Sequence, residues 1–307
     1  MARRLAAIAL ALALVVWLLT ATMTARKALT PPSNLTATPG APPPGPCGTR
    51  TTPPTRYDHV VWILMENHSY NEIIGNSAAP YINRLALQCG LATNYFAVSH
   101  PSLPNYIALT SGATQGITDD DGPSSHRLNV PSIFKQLPAG GSRSLEESMS
   151  PNCHRSDSGE YAVRHDPEAY FTNLGTECTA YDMPYTAFGA PDISAKFTFV
   201  TPNVNDGMHD GTIKQGDTWL SKFVPLITGS ATYAAGKTAI VITWDENDGA
   251  QHNQVATIVI APSVRPGTKS AIRFSHYSLL RTTEEQLGLP LLGHAESATS
   301  MRRAFNY

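Results

Sequence analysis

The sequence predicts an α/β fold, a mostly parallel central sheet flanked by helices. Two continuous apolar runs, His59–Met65 (HVVWILM) and Lys237–Thr243 (KTAIVIT), have the length and unbroken hydrophobicity of strands buried on both faces. Each is followed at once by polar and acidic residues, Glu66-Asn67 after the first and Asp245-Glu246 after the second. Segments of helical period alternate with further short apolar runs, the order expected of a sheet built from crossover units. The third observation is the balance of the chain: 307 residues, 42% hydrophobic, 15% charged and a formal net charge of −2. Such a chain can bury one sizeable core, and it lacks the basic surplus that would point to nucleic acid.

In order, Arg3 and Arg4 precede an uncharged run from Leu5 to Ala25 whose dense part, Leu5 to Leu19, has the length of a signal-peptide core. Residues 1–28 are therefore expected to be a signal peptide, with a retained N-terminal anchor and membrane tether as the alternative. Residues 29–55 are rich in Pro and Thr and read as an extended linker. The domain proper is placed at 56–307, as a monomer. Four cysteines, none in a C-x-x-C pair, fit two disulfides in an extracytoplasmic chain, and the preferred pairing is Cys47–Cys89 with Cys153–Cys178.

After the His59–Met65 strand, Pro80 to Cys89 has helical period and a proline start. Gly90 ends it, and an apolar run from Leu91 to Val98 is expected to be the strand that leads to Ser102. Ser102 precedes Pro104, which suits a first helical turn, so the hydroxyl is placed at or near a helix N-cap. At a strand's C-terminal end and a helix's positive end, such a hydroxyl stands where a phosphate would bind. The acidic turn Asp119 to Asp121 reads as a solvated loop, and a short helix is expected near Ile133. From Ser142 to Pro191 periodicity fades, so this stretch is expected to be an insertion over one sheet edge, carrying Arg164 and His165 as donors able to close over a phosphate.

Lys196 to Val200 is the next strand, and the loop after it crowds Asn203, Asn205, Asp206, His209 and Asp210 together. The i, i+4 spacing of Asn205 with His209 and of Asp206 with Asp210 would aim either pair at one point if the segment turned helically. Ile213 to Ile227 has a helical apolar face, Gln254 to Ile260 reads as a strand, and Ser275 to Leu287 as a helix capped by Ser275 with His276 at its start. Two buried parallel strands that both end in acids bring those acids to one edge. Carboxylates converging there would repel one another, and a bound divalent metal is the natural resolution.

The segments HVVWILMENHSY, SHPSLPNY, NDGMHDG, TWDENDG and SHYSLLRTTEEQLG, in this order, resemble the bacterial phosphoesterase family of secreted acid phosphatases and phosphocholine-type phospholipases C, within the alkaline phosphatase-like superfamily. The forms HPSLPNY and HDG are most similar to the acid phosphatase branch that includes phosphatidylinositol-3-phosphatases. The resemblance implies an alkaline phosphatase-like fold and a secreted, metal-dependent enzyme acting on small phosphomonoesters or phosphoinositides. It implies Ser102 as nucleophile, passing through a phosphoserine, with Glu66, Asn67, Ser102, Asp245 and Glu246 holding or bordering the metal. Without a second metal, His209 or His276 would be free to protonate the leaving alcohol, and Asn105, Asn205, Asp206, Asp210, Arg164 and His165 are candidates for phosphate or a second metal. Glu246 and Asn67 depart from a two-zinc pattern and favour one metal with oxygen-rich ligands. Two alternatives stay open: a phospholipase C-type phosphodiesterase, and a non-catalytic envelope-binding module.

Overall fold

The structure, a computed structural model, describes residues 45–185 and 191–307. The expected signal peptide or anchor at 1–28, and the linker as far as residue 44, lie outside the described residues. Among the described residues no helix is long and apolar enough to cross a membrane.

Eight strands form one sheet: β1 (His59–Met65), β2 (Gly90–Ala92), β4 (Ser142–Glu147), β5 (Asp182–Tyr185), β6 (Phe197–Thr201), β7 (Thr238–Trp244), β8 (Thr257–Ile260) and β9 (Thr268–Ser270). Their spatial order is β5-β4-β6-β1-β7-β8-β2-β9. All neighbouring pairs are parallel except those of β8, which runs against both β7 and β2. A two-residue strand β3 (Tyr95–Phe96) pairs with β10 (Phe274–Ser275) in a separate ribbon. The expectation of a mostly parallel sheet with flanking helices is met.

The centre of the sheet is where the sequence is most apolar. In β1, Val60 through Met65 are fully buried, and Trp62 packs edge-on against Phe197 and Phe199 of the adjacent β6. Burying side chains of this size stabilises the fold by about 1.5–3 kcal/mol each, so β1 and β7 at mid-sheet set a rigid frame for the residues that follow them. Among the described residues the four long helices are α1 (Pro80–Gln88), α2 (Ser102–Ser111), α3 (Ile213–Thr228) and α4 (His276–Leu287). The Trp62 indole N–H donates to Thr283 Oγ1 at 3.0 Å, fixing α4 to the sheet. Asp217 on α3 accepts from the main-chain N–H groups of Tyr81 and Ile82 at 3.2 and 2.8 Å, so a neighbouring helix supplies the N-terminal acceptor that Ala79 cannot.

Every residue of α2 is buried. The helix ends at Gly112, whose φ of +79° is left-handed. A Cβ there would come within 2.2 Å of the Leu292 carbonyl oxygen, so only glycine fits. The disulfides are Cys47–Cys89, which fastens the chain entering the domain to the end of α1, and Cys153–Cys178, with Cα separations of 5.3 and 5.4 Å.

Three expectations need correction. The 142–191 stretch is not wholly an insertion over the sheet: it contains β4 and β5, which extend the sheet by two strands. Their sequences, SRSLEE and DMPY, hide the strand because buried acids occupy positions where apolar side chains are usual. The Leu91–Val98 run is not one strand. It breaks at Thr93-Asn94, where the chain leaves the main sheet for the ribbon with β10. The Gln254–Ile260 strand is confined to Thr257–Ile260 and is antiparallel.

Candidate active site

Because β1, β6 and β7 are parallel neighbours, their C-terminal ends open on one edge, and the residues after them meet there. Ser102 is the first residue of α2 rather than its cap. Pro101 holds the cap position, and the Ser102 side chain makes no capping bond. The hydroxyl is free to point elsewhere, and its Oγ lies 3.5 Å from Glu66 Oε2 and 3.3 Å from Glu246 Oε1. It also bears on the carboxyl of Asp245. Two distant strand ends thus deliver carboxylates to one hydroxyl.

The loop before Ser102 is held by Asn105. Its side-chain oxygen accepts from the N–H groups of Val98 and Ser99 at 3.0 and 2.9 Å, and its amide donates to the carbonyls of Ser99 and Pro101 at 2.9 and 3.1 Å. With both ends of the amide so engaged, Asn105 positions the loop and is spent as a phosphate or metal ligand. Asp120, from the turn expected to be merely solvated, accepts from Leu103 N–H at 2.9 Å and satisfies the start of α2. No spacing rule connects Asp120 to Leu103, so only the folded chain reveals this role.

Glu66 is completely buried. Tyr106, one turn along α2 from Ser102, donates its hydroxyl to Glu66 Oε1, and His165 Nε2 stands 3.3 Å from Glu66 Oε2. The His165 ring stacks on Tyr106 with 5.4 Å between centroids. The Glu66 N–H donates to the Gly207 carbonyl at 2.9 Å, where a Cβ on residue 207 would sit 2.9 Å from the Asn203 carbonyl oxygen. The glycine of the NDG sequence is therefore required by close approach of the β6 loop to the end of β1.

Burial, reinforced by Asp245, pushes the Glu66 carboxyl well above the usual carboxylate range. Asp245 is raised by burial and then by Glu246, and Glu246 by burial first. Three acids that resist ionisation this strongly need a cation if all are to be charged near neutrality. Asn67 Oδ1 and Asp245 Oδ2 are buried without hydrogen-bond partners among the described residues, while Glu246 Oε2 meets only His100 and His165 Nε2 only Glu66. Unpartnered oxygens at the ends of two neighbouring strands, β1 and β7, fit a hard divalent cation beside Ser102.

His209 is partly exposed. Arg164 donates to its Nε2 at 3.2 Å, so the ring proton sits on Nδ1, which donates to Asp210 at 2.7 Å. The His209 and His165 rings are 5.5 Å apart, so Arg164, His165, His209 and Asp210 form one wall of the site. His276 is placed otherwise than expected. It is fully buried, its Nε2 donates to the main-chain carbonyl of Asp245 at 2.6 Å, and its Nδ1 accepts from Tyr95 at 3.1 Å. Burial pushes this imidazole down to about 4. Neutral and bonded at both nitrogens, His276 supports the Asp245 backbone and has no proton to pass to substrate.

Asn205 and Asp206 do not turn helically toward Ser102. The Asn205 amide donates to Glu160 Oε1 at 2.7 Å, and the Asp206 carboxyl is raised by burial and then by Glu160. His100, absent from the expected set, contacts Glu246 through Nδ1 and is half exposed at the mouth of the site. Its position next to the SHPSLPNY serine was the available signal.

A family model described as the Phosphoesterase family matches residues 76–290. The chain is 36% identical over 252 residues to a phosphatidylinositol-3-phosphatase of Mycobacterium tuberculosis, covering 79% of this chain and 81% of that one. It is 30% identical over 251 residues to a probable acid phosphatase of Kluyveromyces lactis, covering 75% of this chain and 58% of that longer one. Among solved structures, a protein of the alkaline phosphatase superfamily from Vibrio parahaemolyticus superposes with a TM-score of 0.55 at 12% identity, covering 84% of this chain and 73% of that one. The lipoteichoic acid synthase LtaP from Listeria monocytogenes gives a TM-score of 0.57 at 11% identity, covering 83% and 78%. At these identities the two structures establish the shared fold alone.

Proposed function

The chain belongs to the Phosphoesterase family and is a phosphatase acting on small phosphoesters, and from that premise we propose that it hydrolyses phosphate monoesters by transfer of the phosphoryl group to Ser102. The observation that carries the proposal is the meeting of Glu66 and Glu246, from the ends of β1 and β7, within 3.5 Å of the one hydroxyl at the start of α2. The 36% identity to the mycobacterial enzyme supports phosphoinositides among the substrates. The two disulfides support a site of action outside the cytoplasm.

Glu66, Asn67, Asp245 and Glu246 would hold one divalent metal ion, which when bound supplies positive charge that lowers the hydroxyl's pKa and offsets the charge of the phosphoryl oxygens. Ser102 attacks phosphorus; the ester oxygen leaves and takes a proton. The remaining work belongs to the chain. Asn105 and Asp120 fix the start of α2 so that Oγ keeps its aim. Arg164, a fixed cation on the opposite wall, binds the equatorial oxygens through its guanidinium. His209, whose ring Asp210 orients, passes a proton from Nε2 to the leaving alcohol once the phosphoryl oxygens draw Arg164 off that nitrogen, and then takes one from the water that frees Ser102.

The test is phosphate release from p-nitrophenyl phosphate and a phosphoinositide panel by purified enzyme, before and after chelation. Chelation is expected to abolish release and added divalent metal to restore it. Undiminished turnover in the chelated enzyme would rule out the metal-dependent reading.

A further inference from the structure

Outside the Ser102 site, buried charge is concentrated where Glu146 of β4, Asp166 and Glu168 of the following loops and Asp182 at the start of β5 converge. All four are at most 1% exposed. One carboxylate oxygen each from Glu146, Asp166 and Asp182 lies within 4.8 Å of the other two. Oxygens that share an ion at about 2.4 Å can be no further apart than about 4.8 Å, so the spacing is that of a common ligand set.

Most of these carboxylates have donors. Thr201 Oγ1 is 3.2 Å from Glu146 Oε1, Tyr161 donates to Asp166 Oδ2 at 2.8 Å, and Ser144 donates to Glu168 Oε2 at 2.8 Å. Asp182 has none. Its Oδ1 is buried without a hydrogen-bond partner among the described residues. Its Oδ2 faces the Cys178 sulfur at 3.8 Å, but that sulfur is in the disulfide with Cys153 and carries no hydrogen to give. The charged neighbours that weigh most on Asp182 are all acids, Asp166, Glu168 and Glu146. One shared proton neutralises one acid of the three and leaves Asp182 Oδ1 buried and unpartnered, which is costly.

We propose that Glu146, Asp166 and Asp182 bind a hard divalent cation that fastens the 153–182 loops to the β4–β5 edge of the sheet. Oxygen-only donors exclude the nitrogen and sulfur preference of zinc. A dry, irregular carboxylate cage suits Ca2+, which takes six to eight oxygens in flexible geometry, better than Mg2+, which dehydrates reluctantly. The position has a consequence for catalysis. Asp166 directly follows His165, and Thr201 Oγ1 is 3.2 Å from both Glu146 Oε1 and the His165 carbonyl. The ion would hold the loop that presses His165 against Glu66. The assignment does not depend on the reading of Ser102.

The experiment is calcium content and thermal unfolding of the whole purified protein, unfolded and refolded in chelator and then with CaCl2 or MgCl2. Refolded with calcium, the Asp245→Asn protein, whose Ser102 site is disabled, is expected to retain about one Ca2+ per chain and to melt about 5 °C or more above its chelated form. Asp182→Asn and Glu146→Gln each lose the ion and the response, while Ser102→Ala and Asp245→Asn, altered only at the other site, keep both. A wild-type protein that refolds to the same melting temperature in chelator and in calcium, with no bound Ca2+, overturns the proposal. So does loss of the calcium response in Asp245→Asn with its retention in Asp182→Asn.

Discussion

His276 Nε2 donates to the main-chain carbonyl of Asp245 at 2.6 Å, from a ring whose other nitrogen is taken by Tyr95. A helix-start histidine near a phosphate site invites the role of proton donor, yet here the imidazole is a strut. His276→Ala leaves a buried carbonyl unsatisfied, at a cost of about 1–3 kcal/mol, and lets Asp245 shift. The expected result is a lower kcat with the acid limb of the pH–rate profile unmoved. Displacement of that limb would return His276 to the chemistry.

The proposed mechanism gives the proton-donor role to His209. His209→Ala is expected to slow hydrolysis of alkyl monoesters about 100-fold or more, the usual worth of general acid catalysis. With p-nitrophenyl phosphate, whose leaving group needs no proton, the loss should be far smaller. Comparable losses on both ester classes would assign His209 to binding instead.

Stability should depend on pH through Glu284 on α4. Its Oε1 accepts from Leu292 N–H at 3.0 Å, and burial pushes the carboxyl up to about 8 against the opposing pull of Leu292 and Gln136. The unfolded chain ionises near the ordinary glutamate value of about 4.3. Between those limits the folded state binds more protons, so the stabilisation is complete below the lower limit and is lost as pH rises toward 8. The slope is about 1.4 kcal/mol per pH unit at its steepest. Urea unfolding of wild type and Glu284→Gln at pH 5 and pH 8 is expected to show the wild type losing more stability across the interval. Parallel losses would place the dependence elsewhere.

What was legible in the sequence was whatever burial writes as an unbroken apolar run. β1 and β7 are the longest strands of the described sheet and sit at its centre, so the acids that follow them could be assigned to one edge before any coordinates. Ser102 was legible through its place before Pro104, although the cap is Pro101. β4 and β5 were hidden because they bury Glu146, Glu147 and Asp182, inverting the pattern by which strands are recognised. The same inversion concealed the second acid cluster, since nothing local in SRSLEE or DMPY reveals that distant loops bring Asp166 and Glu168 against them. Asp120 and Tyr106 were missed for a related reason. Each acts across a tertiary contact, on Leu103 N–H and on Glu66, that no spacing rule encodes.

The central claim is that Ser102 carries the phosphoryl group. The most direct measurement is mass spectrometry of enzyme quenched in acid during turnover of a phosphomonoester, with Ser102→Ala run beside it. The account predicts one phosphoryl group on the peptide containing Ser102, absent from the variant, together with loss of phosphate release in the variant. Full phosphate release by a folded Ser102→Ala enzyme would contradict it.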